Sequence, residues 1–154
     1  MAAIRKPTSA ASASAPIAVP GGSASILGMP AASDSEVRGA VRKGYPFRVL
    51  DEVSKRLARP SQEINAVLGI PARTFARRKV TRYFTPEESD RIYRLARTVQ
   101  LSIDVLGDEE KARAWLGTPN RALGGEVPFG LLDTDIGARQ VEAVLLRIAY
   151  GIFG

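Results

Sequence analysis

From Ser33 onward, apolar residues recur at steps of three and four, the period of helices that bury one face. Phe47, Leu50, Val53 and Leu57 fall on one such face. This predicts a helix starting near Pro46, whose fixed φ suits a first helical position. A shorter helix precedes it, capped by Ser33 or Asp34 and ending near Lys43–Gly44. Pro60 stops the second helix, because proline disfavours helical backbone at the residue before it. Ser61 is then expected to cap a short third helix, with Glu63 in its first turn. Ile64 and Leu68 face inward there, and Gly69 supplies the left-handed residue that ends it. Pro71 opens a fourth helix, anchored by Phe75 and ending near Arg78–Val80.

The strongest start signal is Thr85-Pro86-Glu87-Glu88. Thr85 takes the N-cap, Pro86 the first helical position, and Glu88 completes a capping box. The long helix that follows is expected to bury Ile92, Leu95, Val99, Ile103 and Leu106, and to end at Gly107. Asp108 caps the next helix, whose small apolar face is Ala112, Trp115 and Leu116, with Trp115 read as core. Glycine and proline break TPNRALGGEVPFG into loop, with Gly124-Gly125 as a tight turn. Asp133 or Thr134 caps a last helix with the face Val141, Val144, Leu145, Ile148 and Ile152. No segment alternates well enough to be a strand, so the fold class is all-α, with about seven helices. Residues 1–32, rich in Ala, Ser, Pro and Gly, show no apolar period and are expected to be a disordered tail.

Composition narrows the chemistry. The 154 residues include no Cys and no His. Disulfides, thiolate metal sites, the commonest general base and the commonest zinc ligand are therefore missing. The expectation is a protein that is not an enzyme and needs no cofactor or metal. No apolar run approaches the roughly 18 residues that span a bilayer. With no apolar h-region behind Arg5 and Lys6, a cytoplasmic protein without a membrane partner is expected.

The net charge of +6 is unevenly spread. Residues 38–82 hold twelve basic and three acidic residues, more than the whole excess. Such a segment suits a polyanion, or else forms a solvated basic surface. Its sequence favours the first. In SQEINAVLGIPARTFARRK two short helices meet at Gly69, with Ile64, Leu68, Ile70 and Phe75 placed to pack them together. This is the helix-turn-helix pattern. The second helix then offers Arg73, Thr74, Arg77 and Arg78, with Lys79 and Arg82 just beyond, as DNA contacts. Arg73 and Arg77 share a face. Arginine can grip guanine bidentately while flanking cations neutralise phosphates. One departure is Asn65, four before the turn glycine, where such motifs carry a small residue. An ordinary basic αα-hairpin is the rival reading.

The string AWLGTPNRALGGEVPFGLLDTDIGARQVEAVLLRIAYGIFG resembles the toxin-binding domain of Xre/MbcA/ParS-type antitoxins. The carrying features are Trp115-Leu116, Pro119-Asn120, Ala122-Leu123-Gly124-Gly125, Pro128, the LLDTDIGA run and Tyr150-Gly151. The preceding RTFARR and TPEESDRIYRLARTV resemble the helix-turn-helix half of the Xre antitoxins paired with RES toxins. The resemblance covers roughly residues 45–154. It implies an antitoxin that neutralises a RES-domain toxin, an enzyme that degrades NAD, by bringing its C-terminal end to the toxin's cleft. It also implies a dimer that binds and represses its own promoter. The matching division is a tail over 1–32, a helix-turn-helix domain over 33–106 and a toxin-binding domain over 107–154.

The residues assigned to the toxin are Arg147, Tyr150, Gly151, Phe153 and Gly154. An aromatic chain end needs a surface to cover it. That surface is either the protein's own core or a partner, and the resemblance favours the partner. The alternative for the whole chain is a plain helix-turn-helix regulator whose C-terminal half only dimerises.

Overall fold

The computed structural model describes residues 26–28 and 32–151. Among them are seven α-helices: α1 Asp34–Lys43, α2 Val49–Leu57, α3 Ser61–Leu68, α4 Ala72–Thr81, α5 Pro86–Leu106, α6 Glu109–Leu116 and α7 Asp135–Ala149. Two 3-10 helices, Arg121–Leu123 and Pro128–Asp133, lie between α6 and α7. No strand occurs among the described residues, which have only two isolated bridges, Pro46 with Tyr83 and Asn120 with Glu126. The protein is all-α.

α5 is the central post. α1, α3, α6 and α7 all pack against it, α7 most extensively. It therefore buries more than the single stripe its sequence predicts: Ala96, Leu101, Ser89, Thr98 and Ser102 are enclosed along with Ile92, Leu95 and Val99. Its buried hydroxyls are satisfied. Ser89 accepts the Tyr45 backbone N–H at 2.8 Å, and Thr98 donates to the Glu142 carboxylate at 2.8 Å. Both halves of the chain contribute to one hydrophobic core, from Leu50 and Ile64 through Leu95 to Leu116, Phe129, Val141 and Leu145.

The predicted caps at Thr85 and Asp108 form, and Ser33 and Thr134 take the other two. Three starts need correction. Pro46 does not open α2. The backbone around it pairs with the segment after α4, Phe47 N–H to Arg82 carbonyl at 2.8 Å and Phe84 N–H to Tyr45 carbonyl at 2.9 Å, so the helix begins at Val49. Ser61 is the first residue of α3 and Pro60 its cap, so no side chain caps this helix. Pro71 likewise caps α4 from outside. Gly44 sits where Tyr45–Pro46 turns onto the post α4 leads to: its φ is +95°, and a Cβ there would lie 2.2 Å from the Phe84 carbonyl oxygen.

The tail reading fails at two residues. Ile26 and Leu27 are buried, 1% and 4% exposed, and belong to the core. The rest of that segment up to 25, and 29–31, lies outside the described residues. Trp115, Ile103, Leu106 and Phe75 are half-buried against the core instead of enclosed by it.

Candidate DNA-binding and toxin-binding surfaces

The turn between α3 and α4 is built as the sequence suggests. Gly69 adopts φ +66° and ends α3 in the left-handed region. Ile64, Leu68 and Ile70 are buried beneath it. Asn65, the unexpected residue, is also buried and donates its side-chain amide to the Ile70 carbonyl at 3.0 Å. It thus holds the first residue after the turn to the helix before it. A small residue would leave that carbonyl without this partner.

α4 itself buries no residue. Its inward side rests on Phe75, whose ring lies 5.3 Å from that of Phe47, which in turn stacks on Phe84 at 5.5 Å. Its outward side carries Arg73, Ala76, Arg77 and Val80, all exposed. Thr74 is half-buried, while Lys79 and Arg82 are exposed. Among the described residues, none of Arg73, Arg77, Lys79 and Arg82 has a carboxylate partner. Such a face can offer guanidinium forks to guanine and small apolar groups to thymine methyls.

Arg78 departs from the expected set. It makes a bidentate ion pair with Glu88 on α5: Nε to Oε2 at 2.8 Å and Nη2 to Oε1 at 3.0 Å. The side chains are 17% and 11% exposed. Its guanidinium is committed to the protein and not to the outer face. Glu88 was legible as the capping-box residue, and it does accept the Thr85 backbone N–H at 2.9 Å. Its second role lies across a turn that no helical period relates. Burial alone would raise the Glu88 carboxyl, but the Arg78 guanidinium and Thr85 outweigh it and hold it below the ordinary 4.5. The Arg78 guanidinium is raised in turn, chiefly by its hydrogen bonds to Glu88.

The C-terminal half is organised around the start of α7. Thr134 caps the helix by accepting the Gly137 N–H at 3.0 Å. Gly137 lies against the preceding 3-10 helix, where a Cβ would come 1.9 Å from the Leu131 carbonyl oxygen. That contact explains a glycine inside a helix. Asp135, in the first turn of α7, pairs with Arg139 at 2.9 Å and with Arg94 of α5 at 3.4 Å. Arg97 adds a bridge to Glu142 at 3.0 Å. Gly124 and Gly125 both take positive φ in a loop closed by Asn120, which accepts the Gly125 N–H on its carbonyl and the Ala122 N–H on its side chain.

α7 ends at Ala149, short of Ile152, the last residue of the predicted apolar face. Arg147 is exposed and Tyr150 is 40% exposed, and Gly151 turns the chain with φ +66°. Ile136 and Leu146 are also exposed on this helix. Phe153 and Gly154, and Ile152 of the predicted apolar face, lie outside the described residues. No helix among the described residues is long and apolar enough to cross a membrane.

These two surfaces coincide with two known domains. Residues 36–97 match the antitoxin Xre-like helix-turn-helix domain, and residues 102–151 match the antitoxin Xre/MbcA/ParS C-terminal toxin-binding domain. An antitoxin Xre of Yersinia enterocolitica is 35% identical over 129 residues, covering 82% of this chain and 87% of the relative. One of Photorhabdus laumondii is 32% identical over 128 residues, covering 82% and 86%. One of Pseudomonas putida is 33% identical over 121 residues, covering 78% and 75%. With a helix-turn-helix and a toxin-binding domain sharing one core, the chain belongs to the Xre antitoxin family.

Proposed function

We propose that this antitoxin neutralises a RES-type toxin that degrades NAD, by placing its C-terminal end in the toxin's active-site cleft, and that as a homodimer it represses its own operon in the cytoplasm. The observation that carries the neutralising half is the end of α7. There Arg147, Tyr150 and Gly151 stand at the surface of the toxin-binding domain, beyond a helix otherwise well packed. Arg147 and Tyr150 are three residues apart and can present one face. Phe153 and Gly154 are assigned to the same contact from their places in the sequence alone. The RES partner rests on the resemblance of RTFARR and TPEESDRIYRLARTV to the Xre antitoxins paired with RES toxins.

The DNA half rests on the outer face of α4. Arg73 and Arg77 are assigned to bases, with Thr74, Lys79 and Arg82 as flanking contacts. Arg78 is removed from the contact set by its pair with Glu88.

The test is residual toxin activity and not complex formation, because a few residues carry most of an interface's energy and the rest can still hold a complex. The chain is shortened by residues 150–154, mixed with the toxin encoded beside it, and NAD breakdown is followed. NAD breakdown is expected to return while the antitoxin's thermal midpoint barely moves. Full silencing by the shortened chain would refute the blocked cleft.

A further inference from the structure

α4 is the helix with the weakest hold on the fold. It buries no side chain and shares no extensive contact with another helix among those described. Apart from its C-cap Arg82, whose carbonyl accepts the Phe47 N–H, two side-chain contacts fix it: the Phe75 ring on Phe47, and Arg78 on Glu88. The first is apolar and non-directional. The second is a fork-on-carboxylate pair, which sets both distance and angle. Phe75 and Arg78 are three apart and share the inward side, which leaves Arg73 and Arg77 outward.

Glu88 is itself held. It accepts the Thr85 N–H and stands in the first turn of α5, the post on which the core is built. Rigid placement therefore passes from the core through Glu88 to Arg78 and so to the outer face of α4. The pair is partly buried, so salt screens it less than a fully exposed one.

We infer that the Arg78–Glu88 pair is a clamp that poses α4 for reading DNA, with Arg78 a positioning residue and Glu88 a determinant of operator binding despite its negative charge. The inference rests on the reading of α4 as the DNA-contacting helix. It separates from simple electrostatics by sign. Removing an anion near a DNA-binding face strengthens binding to any duplex. Removing a clamp weakens binding to the right duplex only, because base contacts need the pose and phosphate contacts are tolerant.

The probes are a duplex selected from a randomised pool by the parent protein and a scrambled duplex of equal length. The variants are Glu88→Gln, which keeps an acceptor for the Thr85 cap, and Arg78→Ala, which leaves the capping box untouched. Thermal midpoints confirm that each is folded at the assay temperature. Both variants are expected to lose on the order of tenfold in the ratio of selected to scrambled affinity. Affinity for the scrambled duplex, and its salt slope, stay near the parent's. A direct phosphate contact at Arg78 would instead lower that slope by about one. The clamp is overturned if Glu88→Gln binds the selected duplex as tightly as the parent or tighter. It is equally overturned if the two variants disagree, or if both duplexes weaken alike. Arg77→Ala serves as the control for the underlying reading. If that variant keeps the parent's preference for the selected duplex, the outer face of α4 has been misassigned, whatever the clamp variants do.

Discussion

α4 and α7 carry the two proposed functions and are held in opposite ways. α7 buries Gly137, Ala138, Val141, Val144 and Leu145 against α5 and the 3-10 helix, and is pinned by ion pairs from Asp135 and Glu142 to α5. α4 encloses no side chain; one ring contact and one ion pair hold its length, and a backbone bond from Phe47 holds its C-cap at Arg82. A helix that reads a groove must keep most of its circumference in solvent, so its orientation has to come from a few directional contacts. The helix that leads to the proposed toxin-binding end needs only its last turn for that contact, and one whole face of it packs on the core. Apolar burial, at about 1.5–3 kcal/mol for each fully enclosed aliphatic side chain, anchors the second kind. Geometry of a charged hydrogen bond anchors the first.

The largest test of this contrast lies at the N-terminus. Leu27 and Gly28 border the same groove as Phe47 and Phe75, so the α4 side of the molecule draws on chain that precedes α1. A chain starting at residue 29 is expected to unfold at markedly lower denaturant than one starting at residue 25. The difference is about 1.5–3 kcal/mol for each of Ile26 and Leu27. Equal midpoints would return these two residues to a dispensable tail. Next comes Leu145→Ala in α7, expected to cost about 2–5 kcal/mol in chemical denaturation. Phe75→Ala in α4 should cost less, about 1 kcal/mol, because the ring is only partly buried. If the two substitutions cost the same, the contrast between the helices is lost.

The smallest effect is a pH dependence. The Glu88 carboxyl lies below its ordinary 4.5 in the folded protein. A depressed carboxyl stabilises the fold at pH above its unfolded value, and the contribution disappears as pH falls through the folded value. Stability should therefore decline on the acid side of about pH 4.5 more steeply in the parent than in Glu88→Gln. Parallel acid curves would show that the ion pair contributes nothing to the folded state.

Much of this was legible in order along the chain. Local signals determined the helices: Thr85 and Glu88 for a capping box, Gly69 for the turn, Pro60 for a stop, the three-and-four spacing of Leu50, Val53 and Leu57 for a buried face. Each of these acts within a few residues, where backbone sterics and neighbouring side chains decide the outcome. The basic segment around α4 and the string from Trp115 to Tyr150 likewise carried the family in residue order. What the sequence missed is whatever depends on which elements meet. Pro46 looked like a helix start, but its neighbours pair with the chain after α4. α5 showed one apolar stripe, yet four helices surround it, so Ser89, Thr98 and Ser102 are buried and their hydroxyls must find partners. Arg78 looked like one more cation on a basic helix until the fold put a carboxylate beside it. Ile26 and Leu27, isolated among small residues, gave no period and still reached the core. A period reports the environment along one helix, whereas burial and ion pairing depend on distances between segments, and those are fixed only when the helices pack.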